Sequence, residues 1–80
     1  MELRKAALKH LQRMPKKQAD AMVAALKKLA EKPDRADLDI RPLTGEPGFR
    51  LRIGKWRAVY LIDGEAIIVL RIRPRGDAYK

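Results

Sequence analysis

The sequence predicts an α+β fold: an N-terminal helical hairpin packed on one face of a C-terminal antiparallel β-meander. Three observations carry this. Apolar residues recur at helical spacing through the first 32 positions. Residues 33–48 are dense in Pro, Gly and Asp. After Gly48 the pattern changes to period two, with Phe49, Leu51 and Ile53 alternating with Arg50 and Arg52, the period of a strand with one buried face.

The first helix spans 3–13, with Leu3, Ala7, Leu8 and Leu11 on one side. Met14-Pro15 ends it, because proline disfavours helical geometry in the residue before it. Pro15 then suits the first turn of a new helix. From Lys16 to Lys32, Ala19, Met22, Val23, Leu26, Leu29 and Ala30 form one apolar stripe, and Lys16, Lys17, Lys27, Lys28 and Lys32 fall largely off it. Pro33 stops this helix. Met14 and Met22 read as core filler. In the breaker-rich segment Leu38, Ile40 and Leu43 are expected to tuck onto the core, with one extended piece near 38–43. Phe49, Leu51 and Ile53 alternate with Arg50 and Arg52, Gly54-Lys55 makes a two-residue turn, and Trp56–Ile62 is the second strand. Asp63-Gly64 reads as a type I′ hairpin turn. Ala66–Arg73 is the third strand, apolar enough to be central and covered on both faces. Pro74 to Asp77 is a turn, and a short tail follows.

The hairpin registers assign faces. Across Gly54-Lys55, Arg52 pairs with Arg57 and Arg50 with Val59, and paired residues point the same way. Arg50, Arg52 and Arg57 therefore share one face. Across Asp63-Gly64, the expected pairs are Val59 with Ile68 and Arg57 with Leu70. The opposite face holds Phe49, Leu51, Ile53, Trp56, Ala58, Tyr60, Ile67 and Val69 and forms the core under the helices. Unpaired guanidinium groups are too costly to bury, so the arginine face meets solvent or a ligand, with Arg75 and Tyr79 at its edge.

Composition narrows the function. Eighty residues suit one domain, 1–80, with a small core. The longest apolar run, Ala66–Leu70, is far short of the roughly 20 residues of a membrane span, and the N-terminus shows no signal-peptide pattern. No cysteine and a single histidine leave no thiolate zinc site and no histidine cluster. Neither metal nor cofactor is expected. The net charge of +9 points to anionic partners. Six of the ten arginines lie between Arg50 and Arg75, and arginine favours bidentate recognition of phosphate or carboxylate.

Leu43-Thr44-Gly45 followed by Gly48-Phe49-Arg50-Leu51-Arg52-Ile53-Gly54-Lys55-Trp56-Arg57-Ala58-Val59-Tyr60 resembles the central signature of RelE/ParE-type toxins of toxin–antitoxin systems. The ending Ile72-Arg73-Pro74-Arg75-Gly76-Asp77-Ala78-Tyr79 resembles the C-terminal motif of the RelE-type, mRNA-cleaving branch. The family fold opens with an edge strand. Only Met1-Glu2-Leu3 precedes the helix here, so that strand is expected to be short or missing. Arg50 and Arg52 stand where the best-known RNA-cleaving members carry lysines, which keeps the charge but not the capacity for proton transfer.

The resemblance implies a cytoplasmic, ribosome-dependent mRNA endonuclease that inhibits translation and is held by a cognate acidic antitoxin. By resemblance, Arg57 stabilises the phosphorane-like transition state, Arg75 assists the leaving group, and Tyr79 orients or deprotonates the 2′-hydroxyl. Arg50, Arg52, Lys55 and Arg73 bind RNA. Taken singly, each arginine reads as a solvated surface residue; together on one strand face, with the resemblance, they read as phosphate contacts. Tyr79 can instead cap the core, Tyr60 belongs to the core, and His10 reads as a surface residue. Two other functions stay open: a ParE-like inhibitor that binds DNA gyrase without catalysis, and an inactive module that binds only its antitoxin.

Overall fold

The computed structural model describes residues 1–32 and 37–74. Strand β1 (Glu2–Leu3) leads into helices α1 (Lys5–Arg13) and α2 (Lys16–Glu31). Strands β2 (Asp39–Pro42), β3 (Phe49–Ile53), β4 (Trp56–Asp63) and β5 (Ala66–Pro74) follow. The sheet order is β1-β5-β4-β3-β2. Strands β2 to β5 form the expected antiparallel meander, and the extended piece near 38–43 is its edge strand β2. Pro42, which has no N–H to donate, suits that edge.

The meander is extended by one strand. Glu2 and Leu3 pair in parallel with Ile68 and Val69, and the Arg4 amide donates to the Val69 carbonyl at 2.9 Å. The opening strand is thus present but only two residues long, and the sheet is mixed. Leu3 belongs to this strand, so the first helix starts at Lys5 rather than at residue 3.

Both helices cover one face of the sheet, α1 over β5 and α2 over β3. Ala7, Met14, Met22, Ala25, Leu26 and Leu29 pack against Leu51, Ala58, Tyr60, Ile67, Val69 and Ile72. Leu8 does not join them and stays exposed. Leu38 and Ile40 rest on the core as expected. Trp56 lies on this side and its indole N–H donates to Gln18 Oε1, tying β4 to α2. Phe49 and Tyr60 stack with centroids 5.6 Å apart. Among the described residues no helix is long and apolar enough to cross a membrane.

The β4–β5 hairpin departs from the expected register. Asp63 pairs with Ala66, so the turn residues are Gly64-Glu65, not Asp63-Gly64. Gly64 has φ +61, and among the described residues no non-glycine residue has positive φ. A glycine leading the turn, followed by a residue at negative φ, is the II′ arrangement rather than I′. Asp63 therefore remains in the strand, and the pairing slides by two.

A bulge adds a further step. Tyr60 pairs with Val69 but Val59 pairs with Arg71, which leaves Leu70 as the extra residue. One extra residue reverses the alternation. Ile67 and Val69 face the helices before it and Ile72 faces them after it, so Arg71 and Arg73 turn to the outer face. Without the bulge both arginines would point under the helices. Burying an unpaired charge costs several kcal/mol, against a total stability of about 5–15 kcal/mol, so the bulged register wins. It also replaces the expected neighbours: Arg57 meets Arg73 rather than Leu70, and Val59 meets Arg71 rather than Ile68. For the same reason β5, although interior to the sheet, is covered by helices on one face only; Arg73 is exposed on the other.

Candidate nucleic-acid interface

The strand registers build the outer face as two cross-strand rows. One runs Arg41–Arg50–Val59–Arg71 and the next Asp39–Arg52–Arg57–Arg73, each across β2, β3, β4 and β5. Three arginine–arginine pairs stand directly opposite one another: Arg41 with Arg50, Arg52 with Arg57, and Arg57 with Arg73. Like charges opposite each other in a sheet are destabilising, by about 0.2–1 kcal/mol a pair. The fold holds that repulsion on one surface, where an anionic group would relieve it.

The face is hollow at its centre. Arg50, Arg57, Arg71 and Arg73 line a concavity of about 330 Å³ with Glu46, and Leu43 and Val59 supply its apolar wall. A second hollow of about 290 Å³ toward β2 shares Arg50, Arg57 and Leu43 and adds Arg41 and Thr44. Arg50 Nε is buried and meets no hydrogen-bond partner among the described residues, so this donor is already desolvated. Two carboxylates stand at the rim. Asp39 lies 3.0 Å from Arg52 Nε and 4.0 Å from Arg41 Nε, and Glu46 Oε1 lies 3.1 Å from Arg71 Nη2. Among the described residues the two cross-strand rows carry six arginines and one carboxylate, Asp39, with Glu46 beside them on the loop, so this face is strongly cationic. Among the described residues no three His, Asp or Glu side chains cluster as metal ligands.

Gly48 fixes the loop that carries Glu46. Its φ is +115, and a Cβ there would lie 2.9 Å from the Tyr60 carbonyl oxygen. The Leu43 amide donates to the Gly48 carbonyl at 3.0 Å and closes the loop. Leu43 thereby lines the hollow instead of joining the core, contrary to the expectation that it tucks under the helices.

The predicted site residues divide. Arg50, Arg57 and Arg73 meet in the concavity. Arg52 is beside Arg57 in register, but its guanidinium turns to Asp39. Lys55 is exposed at the β3–β4 turn, away from the hollow. Arg75 and Tyr79 lie outside the described residues. Tyr60 is fully buried on the core side, and burial pushes its hydroxyl above the ordinary 10.0. His10 is a surface residue whose Nδ1 donates to the Ala6 carbonyl at 2.7 Å. Arg71, Arg41 and Glu46 were not legible as site residues. For Arg71 a signal exists: Val69 and Ile72 both need the core, and a gap of three between them requires a bulge.

A family model described as the ParE toxin of the type II toxin–antitoxin system matches residues 1–79. No curated protein sequence matches the chain. Among solved structures, the chain is similar to one in a RelB–RelE antitoxin–toxin complex from Methanococcus jannaschii, with TM-score 0.85 and 21% identity over 99% of this chain and 95% of that one. It is similar to one in an archaeal RelE–RelB complex from Pyrococcus horikoshii, at 0.80 and 27%, covering 94% and 92%. A third likeness is to the RelBE2 toxin–antitoxin complex from Mycobacterium tuberculosis, at 0.75 and 30%, covering 92% and 94%. With the match spanning nearly its whole length, the chain belongs to the ParE toxin family, within the RelE/ParE superfamily, and is a type II toxin with the RelE-like fold.

Proposed function

We propose that this toxin is an endoribonuclease that cuts mRNA in the decoding site of the ribosome and so stops translation. The observation that carries the reading is the convergence of Arg50, Arg57, Arg71 and Arg73, from three strands, on one concavity. RNA brings its own nucleophile. The 2′-oxygen loses its proton and bonds to the adjacent phosphorus. The bond from phosphorus to the 5′-oxygen breaks, and that oxygen takes up a proton. The products are a 2′,3′-cyclic phosphate and a 5′-hydroxyl. What the protein supplies is positive charge where the phosphoryl oxygens gain negative charge, which arginines can do.

In this reading Arg57 meets the transition-state charge at the centre of the face. Arg50 and Arg73 hold flanking phosphates, Arg52 and Lys55 add field at the periphery, and Arg75 and Tyr79 serve the leaving group and the 2′-hydroxyl. Residues 1–80 act as one domain, in the cytoplasm where ribosomes are. The partner that restrains it is an acidic antitoxin, a reading supported by relatives solved as toxin–antitoxin complexes. Carboxylates on the arginines and apolar groups on Val59 and Leu43 would satisfy the same surface.

A second reading, inhibition of DNA gyrase by binding, is favoured by the ParE family match. Induction followed by primer extension on translated mRNA, beside a gyrase supercoiling assay with purified protein, separates them. New 5′ ends within the translated message with unimpaired supercoiling are the expected outcome. Intact mRNA with blocked supercoiling would replace the proposal with the second reading.

A further inference from the structure

We propose that Arg71 is a further phosphate-binding residue of this site and that Glu46 occupies its seat until RNA displaces it. The inference rests on the RNA reading above and concerns how that site is guarded. The bulge at Leu70 turns Arg71 outward into the row of Arg41, Arg50 and Val59. There it lines the same concavity as Arg50, Arg57 and Arg73. Its Nη2 is 3.1 Å from Glu46 Oε1, and both side chains are part-exposed, 37% and 52%. A carboxylate and a phosphodiester offer a guanidinium the same pair of anionic oxygens, so Glu46 is chemically a stand-in for a backbone phosphate.

The geometry makes this a replaceable contact. Glu46 projects from a loop that is pinned by the Leu43–Gly48 hydrogen bond and by the close approach of Gly48 to the Tyr60 carbonyl. Release needs only side-chain rotation, with no loop movement. A part-exposed pair of this kind is weakly held. A lone phosphate gains little by displacing it, because one ion pair is exchanged for another. A strand already held by Arg50, Arg57 and Arg73 displaces it at high effective concentration. Glu46 thus favours chains of phosphates over single ones.

The test measures binding of a short, labelled 2′-O-methyl RNA, which lacks the nucleophile, by fluorescence anisotropy against salt. The full chain is compared with Glu46→Gln, Arg71→Gln and the double variant. Glu46→Gln should bind about two- to fivefold tighter, the range of an exposed ion pair. Arg71→Gln should bind more weakly and flatten the salt slope by about 0.7. In the Arg71→Gln background, Glu46→Gln should then change affinity by less than about twofold, because the seat it guarded is gone. Equal gains from Glu46→Gln in both backgrounds would mean simple repulsion and overturn the guard. An unchanged salt slope in Arg71→Gln would overturn the phosphate contact. A parent chain that fails to bind the RNA would refute the RNA reading and this inference together; a parent that binds but cuts no mRNA on ribosomes would refute the catalysis alone. Melting temperatures of all four proteins should agree, since the pair contributes little to folding.

Discussion

Gly48→Ala should destabilise the fold far more than Gly64→Ala, although both replace a glycine at positive φ. At Gly64 the backbone sits at φ +61 and an added Cβ would meet nothing within 4 Å. Its cost is conformational, about 1–2 kcal/mol, less about 0.5 kcal/mol because alanine also stiffens the unfolded chain. At Gly48, φ is +115 and the Cβ would lie 2.9 Å from the Tyr60 carbonyl oxygen and 3.1 Å from Leu61 Cδ2. The leucine can move. The carbonyl cannot, because it is backbone of β4 opposite the start of β3. Overpacking of about 1–3 kcal/mol therefore adds to the strain, for a total near 3 kcal/mol. One kcal/mol shifts the melting temperature of a domain this size by about 4–8 °C. Thermal unfolding followed by circular dichroism should show a drop of roughly 12–24 °C for Gly48→Ala and roughly 2–12 °C for Gly64→Ala. Equal drops would mean that the contact at Gly48 is not close, and the argument that it fixes the Glu46 loop would fail with it.

Tyr60 is fully buried and its hydroxyl meets no partner among the described residues, so Tyr60→Phe should raise stability by about 1 kcal/mol in urea denaturation. Burial also lifts this phenol above 10.0, so the folded state keeps a proton that the unfolded chain releases. The stability from that proton is whole below pH 10 and is lost as the pH climbs through the folded value; the parent should weaken more steeply above pH 10 than Tyr60→Phe, and parallel profiles would contradict the assignment. Arg57→Ala should slow single-turnover cleavage on programmed ribosomes by about 10²–10³ with ribosome affinity nearly kept. Arg52→Ala, whose guanidinium is already shared with Asp39, should lose much less; comparable losses would remove the distinction between centre and rim.

Much of this architecture was legible because it rests on period and punctuation. The α2 stripe, the break at Met14-Pro15 and the alternation from Phe49 onward each have one physical reading, and the Gly54-Lys55 turn set the Arg52–Arg57 register correctly. The β4–β5 hairpin was harder for two reasons. Asp63-Gly64 and Gly64-Glu65 are both chemically acceptable turns, and the choice depends on which residue takes positive φ. Ala66–Leu70 is apolar throughout, so alternation within it gives no warning of the extra residue at Leu70, and only the spacing of three from Val69 to Ile72 marks it. Arg71 was lost from the expected site for that reason alone. Glu46 and Leu43 were lost for another, because a loop's side chains are placed by tertiary contacts such as Gly48 on Tyr60, which no local pattern encodes. The short β1 strand was visible only as a deficit before the first helix.

In the proposed mechanism the arginine face promotes attack by the RNA's own 2′-hydroxyl. The most direct measurement is single-turnover cleavage of ribosome-bound mRNA carrying one 2′-deoxy nucleotide at the scissile position, beside the all-ribose message. The ribose message should be cut normally to a 2′,3′-cyclic phosphate, and the deoxy position should not be cut although the toxin still binds those ribosomes. Cleavage of the deoxy message at the normal rate would show that the nucleophile is not the 2′-hydroxyl and would contradict the mechanism.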